Sequence, residues 1–193
     1  MTAEAFGRRI HEALERAGIP HMLTGSFAAS FHGVPRATQD IDFVIAADAV
    51  AVRRFVQLLP PAEFYVDEDA AVEALRTEGQ FNVIEAGTGW KVDLIVRKAR
   101  AFSREEFDRR AGAEIWGTPM AVASLEDVIL SKLEWAKRGG SARQLEDVAA
   151  LLRARGSDVD GAYVERWVRG LGVEGEWDRA LAMSRGSEGV DPR

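Results

Sequence analysis

The chain has 193 residues, 47% hydrophobic and 29% charged, a balance that suits one compact globular domain or a core with a small helical partner. Without a single cysteine it has no disulfide framework, no thiol catalysis and no zinc–thiolate site, and a net charge of −6 argues against broad, charge-driven nucleic-acid binding. No window approaches the roughly 18 apolar residues of a membrane span, and the opening MTAEAFGRRIHEALERAG lacks the apolar core of a signal peptide, so a cytoplasmic protein is expected.

In chain order, residues 3–17 place Phe6, Ile10, Leu14 and Ala17 at helical spacing, and Gly18 stops that helix. Pro20 leads into a short strand at 21–24, and 26–32 reads as a helix broken by Gly33-Val34-Pro35. A second strand is expected at 40–46. A helix over 48–59 follows, capped by Asp48 and closed by Pro60-Pro61, and then a weaker one at 68–76. Strands at 81–86 and 90–96 flank Gly87-Thr88-Gly89, a turn signal that predicts a hairpin. The stretch 98–110 is basic and amphipathic, with Arg97, Lys98, Arg100, Arg104, Arg109 and Arg110 forming the best candidate for an RNA-facing edge. Residues 113–123 read as one more strand, interrupted at Gly117-Thr118-Pro119.

From Ser124 the pattern turns helical. Ser124-Leu125-Glu126-Asp127 is a capping signature, Ser141 caps a helix through 152, and a third helix is expected over about 160–171. The predicted organisation is an α/β (α+β) core over 1–123, a helical subdomain over 124–183 and a frayed tail over 184–193. Trp116, Trp135, Trp167 and Trp177 read as packing aromatics, and His11, His21 and His32 share no spacing that makes a metal triad.

The chemistry concentrates in LTGSFAASFHGVPRATQDIDFVI. Alternation along a strand makes Asp40 and Asp42 point the same way, with Ile41 and Phe43 on the opposite face. Two neighbouring carboxylates repel unless a cation neutralises them, and magnesium takes carboxylate oxygens together with substrate phosphates. Gly25-Ser26 at a helix start offers backbone N–H groups and a hydroxyl to a phosphate. Asp93 is a third carboxylate on the polar face of a later strand. Each also has a plainer reading: an ordinary strand-to-helix turn for Gly25-Ser26, and solvated strand faces for the aspartates.

A Gly-Ser turn, an Asp-x-Asp strand and a later strand Asp together resemble the DNA polymerase β-like nucleotidyltransferase superfamily. Within it, RATQDIDFVI and LEDVILSKLEWAKRGGSARQLEDVAALL resemble the bacterial abortive-infection-type toxins and the minimal nucleotidyltransferases, over most of residues 20–152. The resemblance implies a nucleotidyltransferase-fold mixed sheet flanked by helices, with a helical C-terminal subdomain. It also implies transfer of a nucleoside monophosphate from a nucleoside triphosphate to an acceptor hydroxyl, with one or two Mg2+ (or Mn2+) ions held by Asp40, Asp42 and Asp93. Gly25 and Ser26 would seat phosphates. The matching second motif gives Lys132 and Asp147 as further active-site positions, Lys132 toward the triphosphate; the plainer reading of Lys132 is a solvated helix face. Arg36, just before the metal strand, and Arg143 are separate candidates for phosphate or acceptor contacts. The implied acceptor is a tRNA 3′ end, in a toxin with a cognate antitoxin, while a protein or a small molecule such as an aminoglycoside suits the same chemistry. The alternative is a non-catalytic, nucleotide-sensing or antitoxin-like subunit of the same fold, against which the intact carboxylate set argues.

Overall fold

A computed structural model describes residues 1–38 and 40–186. The chain divides into two compact units, one of Met1–Phe27 with Ala37–Ala123, the other of Ala28–Arg36 with the chain from Ser124 onward.

The first unit is built on a mixed seven-stranded sheet, flanked by helices, in the order β3-β4-β5-β2-β1-β7-β6. Helix α1 (Ala3–Ala17) is capped by the Thr2 side chain and ends at Gly18 in the left-handed conformation; its apolar stripe buries Phe6, Ile10 and Leu14 completely. Strand β1 (His21–Thr24) is buried along its whole length, and helix α2 (Gly25–Phe31) leaves it without an intervening loop. Strand β2 (Asp40–Ile45) is the middle strand, antiparallel to β1 and parallel to β5 (Lys91–Val96). Helices α3 (Ala49–Gln57) and α4 (Glu68–Thr77) are N-capped by Asp48 and Asp67, each accepting from the backbone N–H three residues on. Between these helices lies a two-residue edge strand, β3 (Phe64–Tyr65), too short to leave a periodic signal in the sequence. Strand β4 (Gln80–Glu85) forms the expected hairpin with β5, and the Glu85 side chain accepts hydrogen bonds from the Gly87 and Thr88 N–H groups in the turn. Helix α5 (Ala101–Asp108) occupies the centre of the basic stretch.

The single interrupted strand expected at 113–123 is instead two strands, β6 (Ala111–Ile115) and β7 (Thr118–Val122), paired antiparallel. Trp116 and Gly117 both adopt positive φ, at 53° and 71°, and turn the chain so that Ile115 faces Thr118. Glycine provides that geometry freely; Trp116 is held in it while its ring packs edge-on against Phe27, 5.3 Å between centroids. Strand β7 then runs parallel to β1, with Leu23 opposite Val122.

The second unit is helical. Ser124 caps α6 (Leu125–Gly139), accepting from the Asp127 N–H, and Asp160 caps α8 (Gly161–Leu171) in the same way through Tyr163. Helix α7 (Ala142–Arg155) lies between them in sequence, followed by a 3-10 turn at Gly156–Asp158. The unit's core includes Val128, Ile129, Leu130, Leu133, Val148, Leu151, Val164 and Val168, all at most 4% exposed. Asp127, fully buried, is satisfied by the Tyr163 and Ser124 hydroxyls, which donate at 2.6 and 2.7 Å. A ninth helix, α9 (Glu174–Arg185), has no counterpart in the sequence reading. Its Val173 N-cap makes no side-chain cap and only Ala180 is buried, so neither start signal nor apolar stripe announces it. It extends two residues into the tail expected to fray from 184; residues 187–193 lie outside the described part.

Candidate active site

The sheet register assembles four charged side chains into a square. Asp40 pairs with Lys91 and Asp42 with Asp93 across the parallel β2–β5 ladder. Period-two alternation puts all four on one face. On the opposite face Ile41, Phe43, Val92 and Leu94 are fully buried, which fixes the register: a slip of one residue would put the carboxylates into the core. Asp40 is exposed, Asp42 half-buried and Asp93 buried at 8% exposure. The hairpin therefore does not hand Asp93 to solvent. Its Oδ2 lies 2.9 Å from Lys91 Nζ, while its Oδ1 is buried with no hydrogen-bond partner among the described residues.

Gly25 closes this square at the end of β1. Thr24, the last residue of that strand, is the ladder partner of Asp42, so the chain turns into α2 directly beside the Asp42 carboxylate. Gly25 has φ +64°, and a Cβ there would lie 2.0 Å from Asp42 Oδ2, 2.8 Å from Cγ and 3.0 Å from Cβ. Only glycine suits both the backbone and the space. Ser26, the next residue, is buried at 8% exposure.

Lys91 is a participant that the sequence reading missed. Its Nζ is 3.3 Å from Asp40 Oδ1 as well as 2.9 Å from Asp93 Oδ2. Burial disfavours its charge, but the hydrogen bond and charge of Asp93, with that of Asp40, outweigh this and raise its pKa above the ordinary lysine value. The available signal was the spacing: Lys91 stands two residues before Asp93, and two residues on a strand share a face.

The remaining expected site residues fall in the second unit. Lys132 on α6 is not on a solvated face but 3% exposed, donating to Asp147 Oδ2 of α7 at 2.7 Å and to Gln144 Oε1 at 3.2 Å. Arg36 Nε lies 3.4 Å from the same Asp147 oxygen. Lys132, Asp147 and Arg36 thus come together, whereas Arg143 is exposed on α7 outside this cluster's contacts. In the basic stretch of the first unit, Arg97 and Arg110 both stack on Phe107, 5.5 and 4.1 Å from its centroid, so part of that charge is engaged with the protein's own rings. Trp135 departs from the packing role expected of it, being 45% exposed beside Arg138.

Two of the histidines meet although their sequence spacing gave no sign of it. His21 Nδ1 is 2.8 Å from the Ile19 carbonyl, its Nε2 is 2.7 Å from His11 Nδ1, and Glu15 Oε1 lies 3.8 Å from His21 Nδ1. Among the described residues, these are the three groups whose ligand atoms all lie within 4.8 Å of one another, so they could hold a metal ion. The 2.7 Å between ring nitrogens is a hydrogen bond; two imidazoles on one tetrahedral ion stand about 3.3 Å apart, so an ion would replace the shared proton and spread the rings. Burial pushes both imidazoles below their ordinary pKa, against the charge of Glu15.

No family model matches the chain, and none of the curated proteins does. Solved structures do. An antigenic nucleotidyltransferase-like protein from Paracoccidioides brasiliensis is 18% identical, with TM-score 0.52, over 78% of this chain and 75% of that one. The complex of ANT(2")-Ia with adenylyl-2"-tobramycin is 14% identical, with TM-score 0.52, over 97% of this chain and 99% of that one. The lincomycin-bound lincosamide antibiotic adenylyltransferase LnuA is 14% identical, with TM-score 0.51, over 78% and 96%. No helix among the described residues is long and apolar enough to cross a membrane. At these identities the fold is what is shared: the chain carries the mixed α/β fold of nucleotidyltransferase-like proteins.

Proposed function

We propose that the chain is a divalent-metal-dependent nucleotidyltransferase that moves a nucleoside monophosphate from a nucleoside triphosphate to an acceptor hydroxyl. The observation that carries this reading is the carboxylate face of β2 and β5, where Asp42 and Asp93 are ladder partners and Asp93 Oδ1 is buried without a hydrogen-bond partner among the described residues. An orphaned buried carboxylate oxygen in an all-oxygen donor set suits Mg2+ or Mn2+. Asp40 and Asp42 would hold the ion, Asp93 would complete the set and accept the proton of the attacking hydroxyl, and the metal would supply charge neutralisation at the phosphate oxygens. Gly25 holds the backbone close to Asp42 and, with Ser26, offers the turn that would seat the triphosphate. Catalysis in such a site is mostly positioning and electrostatics, which asks for fixed groups on inner strands.

Lys132 and Asp147 enter the proposal through the motif resemblance, Arg36 and Arg143 as basic candidates for phosphate or acceptor contacts. The mutual ion pairing of the first three is an internal organisation that binding of a phosphate to Lys132 would have to reshape. For the acceptor we propose a tRNA 3′ end, in a cytoplasmic toxin held by a cognate antitoxin. A small-molecule hydroxyl is the competing acceptor, favoured by the adenylyl-2"-tobramycin and the lincomycin bound in two structures of like fold.

The test is transfer of label from each of four α-labelled nucleoside triphosphates, with Mg2+, into total tRNA, total protein and a panel of antibiotics, beside Asp42→Ala. Label that enters one acceptor and disappears in Asp42→Ala names the reaction. Transfer at the wild-type rate by Asp42→Ala refutes the carboxylate assignment.

A further inference from the structure

We propose that Lys91 is the resident counter-cation of the carboxylate square, a displaceable placeholder that holds Asp40 and Asp93 until a divalent ion takes their oxygens. The inference rests on the metal-site reading above and deepens it. Three carboxylates and one ammonium stand on adjacent positions of two strands, so the square carries a formal charge of −2, which one divalent ion neutralises. The ammonium contacts Asp40 and Asp93, the two carboxylates that lie diagonally across the square from each other. Its grip is uneven: 2.9 Å to Asp93, whose side chain is 12% exposed, and 3.3 Å to Asp40, whose side chain is 52% exposed. A cation entering from solvent meets Asp40 first, and there the lysine contact is longer and better hydrated, hence easier to replace. The Lys91 side chain is itself 34% exposed, with room to swing outward on its four-carbon stem once its partners are taken.

Two roles follow. Lys91 keeps the carboxylates from repelling one another when no ion is bound, so the strand pair stays in register and the site stays formed. It also sets the threshold for metal uptake, because an ion must compete with it for Asp40. A purely structural salt bridge would do the first and not the second.

The experiment titrates Mn2+, followed by its electron paramagnetic resonance signal, into chelator-treated full-length wild type, K91M, K91R and D42A. K91M is expected to bind Mn2+ about tenfold more tightly, the order that follows from removing one unit charge about 5 Å from a doubly charged ion in a water-like dielectric. K91R, which keeps the charge, is expected to bind like wild type. Without metal K91M should melt below wild type, and saturating Mn2+ should shrink that gap. In wild type the side-chain nitrogen resonance of Lys91, assigned by its loss in K91M, should move with Mg2+ occupancy, a readout that needs no variant to fold. If K91M binds no tighter than wild type, or the resonance ignores saturating Mg2+, the placeholder role is refuted while the metal site stands. If wild type takes up no Mn2+ that D42A abolishes, the metal site itself is refuted and the inference falls with it.

Discussion

Gly25→Ala is the substitution whose effect can be worked most closely from the geometry. An alanine at φ +64° pays the left-handed penalty of about 1–2 kcal/mol. Its Cβ would also arrive 2.0 Å from Asp42 Oδ2 and 3.0 Å from Asp42 Cβ. Rotating the carboxylate clears the oxygen but leaves the Cβ, which belongs to the strand, and an off-rotamer side chain costs a further 0.5–1.5 kcal/mol or so. A loss of about 2–3 kcal/mol is expected, together with at least a tenfold loss of Mn2+ affinity because Asp42 is turned from its place. Gly18→Ala is the control: φ is +72° and nothing lies within 4 Å of the added Cβ, so the backbone penalty stands alone. Urea denaturation and Mn2+ titration of both variants separate strain from collision. If Gly25→Ala loses no more stability than Gly18→Ala and binds Mn2+ like wild type, the close approach of this turn to Asp42 does not govern the site.

Asp147→Ala should destabilise the protein by roughly 3–5 kcal/mol, since it strands the 3%-exposed Lys132 without its carboxylate; the residual Gln144 contact argues for the lower end. A loss below about 1 kcal/mol in urea would mean that Lys132 finds another partner. Acid should weaken the fold through His11 and His21. Their folded pKa values lie below the ordinary 6.5, so the unfolded chain takes up protons first: stability is intact above about pH 6.5 and falls as pH drops below it, by up to about 1.4 kcal/mol per pH unit for each histidine. Denaturation at pH 7.5 and 5.5 should show a smaller pH difference in His21→Gln than in wild type, and an equal difference would remove the pair from the acid response.

The expected fold class and most elements agree with the structure where local signals were strong. Alternation over Asp40-Ile41-Asp42-Phe43 located the middle strand, and Asp48, Ser124 and the Gly87-Thr88-Gly89 turn marked helix starts and a hairpin, whereas Asp93 joined Asp40 and Asp42 only through the family resemblance, because the parallel β2–β5 pairing links segments some fifty residues apart. What escaped was either too short or non-local. Strand β3 has two residues, and the β6–β7 turn rests on a tryptophan at positive φ, which residue type does not advertise. The Lys132–Asp147 pair was approached through motif resemblance, but its burial was not, because a lysine in a helix carries no mark of which way it faces. The His11–His21 contact joins a helix to the strand after it and depends on the path of the Gly18–Pro20 turn, while Lys91 was hidden by being read as a strand residue rather than as an ion.

Residues 28–36 belong to the unit that otherwise begins at Ser124, although nearly ninety positions (37–123) separate the two segments along the chain. The helical unit is therefore discontinuous in sequence. On a ribosome its first piece emerges early, with Ala28 and Ala29 destined for burial, and cannot be completed until the last helices have been made. A fragment beginning at Ser124 would lack that piece, so truncation at the apparent boundary should yield a loosely packed product, while a circular permutant opened elsewhere keeps both segments.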